Sequence, residues 1–155
     1  MDVQIGDIII VHSQTIVGKL IRWVTNSWAS HIAVYIGSGL VFEARPGGAK
    51  AVPLTNYNGQ YRVFRLNVDL AEISKFVENL ELKQNKGYDY GQIFSIAFED
   101  LFHIKIKAQN KRLTICSEIV YESAQEAGIP VPPVSQAYIT PGDFFSWNIL
   151  TEVIN

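Results

Sequence analysis

The run Gly6-Asp7-Ile8-Ile9-Ile10-Val11-His12 constrains the fold of this chain more than any other segment. It is apolar and β-branched at successive positions, so both faces of the strand must be covered, which places it inside a sheet and not at an edge. Shorter β-rich runs follow at His31 to Ile36, Leu40 to Ala44, Lys50 to Leu54 and Tyr61 to Leu66, separated by Gly, Pro and Asn, and they predict an antiparallel meander. Between the first strand and the meander, Ile16, Val17, Leu20, Ile21 and Val24 recur at helical spacing with Lys19 and Arg22 opposite, which predicts a surface helix from Ser13 to about Asn26. The rest reads as helical. Asp69 with Glu72 three residues later is a capping-box-like start, and Leu70, Ile73, Val77 and Leu80 continue one face until Gly87 offers a stop. Ile93, Phe94, Ala97, Phe98 and Leu101 predict a second, buried helix from Gly91 to about Phe102, joined to the first by Tyr88-Asp89-Tyr90. A third helix opens at Cys116 and ends at Gly128, beyond which Pro130, Pro132 and Pro133 forbid its continuation and leave an irregular, packed tail. A chain of 155 residues that is 48% hydrophobic can bury roughly 68–70% of its unfolded surface, enough for one core. The expectation is one α+β domain over residues 1–155, with an antiparallel sheet or small barrel packed against helices.

One hairpin register bears on chemistry. In His31-Ile32-Ala33-Val34-Tyr35-Ile36 the residues Ile32, Val34 and Ile36 share a face expected to be core, and His31, Ala33 and Tyr35 share the other. An odd-numbered loop Gly37-Ser38-Gly39 sets Ile36 against Leu40, Val34 against Phe42 and Ile32 against Ala44, all apolar pairs. A two-residue loop instead sets Val34 against Glu43 and Ile32 against Arg45, at a cost on the order of burying an unpaired charge. In the favoured register Glu43 lies opposite Ala33, one diagonal step from His31 on the same face, roughly 7–8 Å between backbones. A carboxylate there can orient the imidazole.

Cys116, the only cysteine, stands at the start of its helix in Thr114-Ile115-Cys116-Ser117-Glu118-Ile119-Val120-Tyr121. Unpaired N–H groups and the helix dipole favour a thiolate there. Cys116, His31 and Glu43 thus form a candidate nucleophile, base and orienter for acyl transfer, with the Cys116 N–H as an oxyanion donor; spacing identifies no second donor. The alternatives are a small buried hydrophobe at Cys116, a capping histidine at His31 and a solvated strand residue at Glu43. His12 and His103 are competing bases, but neither has an acidic neighbour in an inferable geometry. Trp28, Tyr35, Tyr88 and Tyr90 are candidate substrate contacts, and Trp23 and Phe42 also lie near the proposed catalytic segment; packing accounts for such aromatics as well. Every histidine precedes the cysteine, the reverse of the usual papain-like order.

The formal charge of -2 gives no electrostatic case for nucleic acid or an anionic membrane, although local patches are compatible with it. One cysteine and three scattered histidines lack the close pairs of zinc sites, and there is no Gly-rich phosphate loop, so chemistry without metal or cofactor is expected. No apolar run approaches the roughly 20 residues of a transmembrane helix. The start Met1-Asp2-Val3-Gln4-Ile5 lacks the pattern of a signal peptide, so a reducing, cytoplasmic setting is expected, with phage or viral origin equally compatible. Oligomeric state and pathway are not legible.

Gly6-Asp7-Ile8-Ile9-Ile10, Ser30-His31-Ile32-Ala33-Val34-Tyr35-Ile36-Gly37 and Val41-Phe42-Glu43-Ala44 resemble the core strands of NlpC/P60 hydrolases. Ile115-Cys116-Ser117-Glu118-Ile119-Val120-Tyr121 resembles the cysteine element of the circularly permuted, YiiX-like branch of that superfamily. The resemblance runs from Gly6 to about Asp143, includes Tyr88-Asp89-Tyr90 and Thr140-Pro141-Gly142-Asp143, and rests on the joint order of these motifs. It implies a permuted papain-like fold and a Cys/His/polar triad in which Cys116 is the nucleophile, His31 the base and Glu43 the third member. The activity it implies is hydrolysis of an amide in a peptide-like or acyl-amino-acid substrate, such as a peptidoglycan fragment. A lipid acyltransferase or thioesterase with the same triad is the alternative enzyme, and a non-catalytic binding module the alternative outside catalysis.

Overall fold

The computed structural model describes residues 2–45, 48–84, 116–133 and 139–154. Its elements are β1 (Ile8–Val11), α1 (Ile16–Thr25), β2 (His31–Gly37), β3 (Leu40–Arg45), β4 (Gly48–Pro53), β5 (Tyr61–Leu66), α2 (Leu70–Gln84), α3 (Cys116–Glu126) and β6 (Leu150–Glu152), with 3-10 turns at Leu54–Tyr57 and Asp143–Ser146. The strands form one open antiparallel sheet ordered β4-β3-β2-β1-β5-β6, so the architecture is a sheet and not a barrel.

β1 is interior on every count. All four of its residues are buried, and it pairs with β2 from Ile8↔Val34 to Val11↔His31 and with β5 from Ile8↔Phe64 to Val11↔Tyr61. The predicted meander therefore holds only for β2, β3 and β4; β5 crosses back to the far side of β1. A strand apolar on both faces must have both backbone edges paired, and β2 satisfies only one of them. The tail, expected to be irregular, ends in β6, which pairs Phe64↔Glu152 to Leu66↔Leu150 and is clamped by Arg62 Nε donating to Glu152 Oε1 at 2.6 Å. Three residues are too few for a periodicity to reveal.

The hairpin keeps the apolar register in its body, Val34↔Phe42 and Ala33↔Glu43, but closes differently from the expectation. Ser38 and Gly39 form a two-residue turn at φ 52° and 74°, as the hairpin turn with left-handed central residues requires. A bulge between Tyr35 and Gly37 takes up the odd residue, so Leu40 pairs with Gly37 and not with Ile36.

Helices cover one face of the sheet. Ile8, Ile10, Ile32, Val34, Phe42 and Phe64 pack there against Phe76 and Leu80 of α2, Ile119, Val120 and Ala124 of α3, and Phe144 and Trp147 of the tail. The other face is also apolar: Ile9, Val11, Ala33, Val41 and Val63 pack around Tyr57. The His31 face of β2 is thus a second, smaller core, because alternate residues of β1 point to it. In α2 the Asp69 N–H donates to Glu72 Oε2 at 3.0 Å, half of a capping box. The buried side of α2 is Phe76, Leu80 and Lys83, whereas Leu70 in its first turn is exposed. Lys83 reaches Glu126 at 3.1 Å and joins α2 to α3. α1 is capped by the Thr15 hydroxyl, which accepts from the Gly18 N–H at 3.1 Å, and by left-handed Asn26. It rests on buried Gly18, while Ile16 and Trp23 face solvent, so its apolar stripe is only partly used. The Gly87 stop, the Tyr88-Asp89-Tyr90 joint and the helix expected over 91–102 lie outside the described residues.

Candidate active site

His31 is the first residue of β2 and Glu43 the fourth of β3. Because Ala33 pairs with Glu43, the carboxylate sits one diagonal step from the imidazole on the same face, and Glu43 Oε2 accepts from His31 Nε2 at 3.0 Å. The side chains are 13% and 2% exposed, so water competes little for this bond. Cys116 opens α3 on the other side of the imidazole, buried among the core residues of the helical face. The next residue, Ser117, anchors this first turn by donating its hydroxyl to the Ile139 carbonyl at 2.6 Å.

Cys116 and His31 lie close enough for each to set the other's charge. With Nε2 engaged by Glu43, the ring nitrogen left to face the sulfur is Nδ1. Burial alone would lower the His31 pKa, but the Cys116 charge and hydrogen bond, with those of Glu43 added, raise it to about 9. Burial alone would raise the Cys116 pKa; the His31 charge and hydrogen bond, with backbone N–H groups of Ile32 and Ser117, bring it below the ordinary thiol value. Both shifts favour thiolate beside imidazolium, with a carboxylate on the cation's far side. That arrangement can attack a carbonyl carbon and protonate a leaving group.

Tyr57 belongs to this cluster and has no counterpart in the sequence reading. Its hydroxyl donates to Glu43 Oε2 at 2.6 Å, and its ring stands edge-on to His31 with centroids 6.3 Å apart. Only the strand register points toward it, since Tyr57 leaves the edge strand beside Glu43 through a 3-10 turn that has no apolar period.

The other candidates are placed elsewhere or fall outside the description. The Tyr35 hydroxyl accepts from the Gly39 N–H at 3.0 Å, at the turn end of the hairpin, roughly 13 Å along the strand from His31 at about 3.3 Å per residue. Trp28 is 40% exposed, three residues before His31, and stacks on His12 at 4.9 Å. His12 donates Nδ1–H to the Trp28 carbonyl at 2.9 Å. Trp23 is exposed on α1 and Phe42 is core. Tyr88, Tyr90 and His103 lie outside the described residues. Among the described residues no three His, Cys, Asp or Glu side chains converge as a metal site requires.

A family model described as permuted papain-like amidase enzyme, YaeF/YiiX, C92 family, matches residues 2–140. Among solved structures, the metalloprotein YiiX from Escherichia coli O157:H7 superposes with a TM-score of 0.61 over 99% of this chain and 98% of that one, at 21% identity. At that identity the likeness concerns the fold. No curated protein matches the chain.

Proposed function

This chain belongs to the permuted papain-like amidase family, and from that premise we propose that it is a cysteine-dependent hydrolase of amide bonds in peptide-like or acyl-amino-acid substrates. Cys116 is the nucleophile, His31 the acid and base, and Glu43 the residue that orients His31. The observation that carries this reading is the position of one half-buried imidazole between a thiol at a helix start and a carboxylate at 3.0 Å.

The Cys116 thiolate attacks the substrate carbonyl carbon, and the oxyanion that forms is stabilised by the N–H at the start of α3. The His31 imidazolium gives its sulfur-facing proton to the departing amine, leaving a thioester on Cys116. Neutral His31 then takes a proton from water, whose oxygen attacks the thioester carbonyl, and the acid leaves as the thiolate reforms. Glu43 accepts from Nε2 throughout and holds the ring in the tautomer this exchange needs. Trp28, three residues before His31 and 40% exposed, is the aromatic we assign to an apolar substrate group.

Since Cys116 is the only cysteine, iodoacetamide labelling reports on it alone. Rapid alkylation well below pH 8.5, lost in His31→Ala, is the expected result; slow alkylation indifferent to His31 would overturn the nucleophile. Trapping the acyl-enzyme from a panel of peptidoglycan fragments, acyl-amino acids and lipids then identifies the substrate. Exclusive labelling by lipid esters would replace the amidase with an acyltransferase or thioesterase.

A further inference from the structure

We propose that Tyr57 is a positioning residue of this site, holding the buried Glu43 carboxylate ionised and in the rotamer that meets His31. The inference rests on the triad reading above and adds to it a residue whose hydroxyl acts through Glu43.

Glu43 Oε2 accepts two bonds, from the Tyr57 hydroxyl at 2.6 Å and from His31 Nε2 at 3.0 Å. At 2% exposure the carboxylate has little access to water, so its charge depends on such donors. The type of donor matters. A lysine or arginine here would neutralise Glu43 and compete with the imidazolium, whereas a neutral hydroxyl shares the negative charge and leaves His31 as the cation. Tyr57 is well fixed for this purpose. It is 6% exposed, packs with Ile9, Val11, Ala33, Val41 and Val63, and stands edge-on to Tyr61 at 6.4 Å. Its 3-10 turn is closed by left-handed Asn58, and its carbonyl accepts from the Gln60 N–H at 2.9 Å.

Titratable groups from several elements surround this cluster. Cys116 comes from α3, His31 from β2, Tyr61 from β5, and Lys50 of β4 pairs with Glu43 in register while its side chain is exposed. Without the Tyr57 hydroxyl the buried Glu43 loses a donor to its charged form and protonates more readily. His31 then has one anion beside it instead of two, which weakens the imidazolium and with it the thiolate. Tyr57→Phe, which keeps the ring, should therefore move the onset of Cys116 reactivity up by about one pH unit, slowing alkylation near pH 6 about tenfold.

The experiment is the pH profile of iodoacetamide alkylation in wild type, Tyr57→Phe, Glu43→Gln and the double variant, with far-UV circular dichroism on each. If Tyr57 acts through Glu43, the onset rises in both single variants and the double variant matches Glu43→Gln. A Tyr57→Phe profile identical to wild type overturns the proposal, and so does a double variant shifted beyond Glu43→Gln by a further increment, the mark of a merely structural tyrosine. Should Tyr57→Phe fail to fold with its carboxylate less satisfied, Glu43→Gln against the double variant still decides, because there the charge is gone. An unactivated wild-type thiol, indifferent to His31→Ala, overturns the triad and Tyr57's role with it; an activated wild type unchanged by Tyr57→Phe overturns Tyr57 alone.

Discussion

His31 has an anion on each side, and the pH window of the site follows. Its pKa is raised to about 9 while that of Cys116 is lowered, so the ion pair exists above the depressed thiol value and below about 9. Activity should fall on the acid side as the thiolate takes a proton and on the alkaline side, near pH 9, as the imidazolium loses one. His31→Ala removes the cation and leaves burial to dominate, so Cys116 should titrate above an ordinary thiol, whose value is near 8.5. His12→Ala should leave the alkylation profile as it is, because His12 bonds the Trp28 carbonyl and packs on its ring, whereas the histidine that lowers the Cys116 pKa is His31. A profile that moved with His12 and not with His31 would reassign the base. The His31–Glu43 contact was legible because two apolar strands admit one register that keeps charge out of the core. Tyr57 was not, because its link to Glu43 crosses from an edge strand through a turn without periodicity.

At the scale of elements, the reading succeeded where burial imposes a period and missed where backbone pairing decides. Apolar runs located β1, β2, β3 and β5 closely, but which strand β5 pairs with depends on the free edge of β1, a property of no single segment. Likewise α2 was expected to bury Leu70 with Ile73, Val77 and Leu80, yet its axis is set by contact with α3 and with the strand entry, which brings Phe76 inward. Gly6 marks that entry. Its φ is +90°, and a Cβ there would stand 2.6 Å from Ile73 Cγ2 of α2. Gly6→Ala combines a left-handed backbone for a residue with a Cβ and a clash between two packed elements, so it should cost about 1–3 kcal/mol. A lowered urea midpoint with an unchanged slope is the expected readout, and a midpoint equal to wild type would mean that the β1 entry shifts freely.

For the whole molecule, the order of the parts matters more than any one of them. His31 and Glu43 come from a hairpin early in the chain, Cys116 from a helix late in it, and they meet because α3 packs against β2. Local structure alone cannot make the ion pair, so the activated thiol should be a property of the assembled fold. This gives unfolding an unusual signature. A buried cysteine ordinarily becomes more reactive as the chain opens, because exposure is what it lacked. Cys116 gains exposure but loses His31, and a free thiol with a pKa near 8.5 is only about 1% thiolate at pH 6.5. Its alkylation rate at pH 6.5 should therefore fall through the urea transition, with the same midpoint as far-UV circular dichroism, while above pH 9.5 it should rise as the exposed thiol ionises unaided. A rate that instead rose at both pH values would mean that the folded protein merely shields Cys116, and that the fold does not activate it.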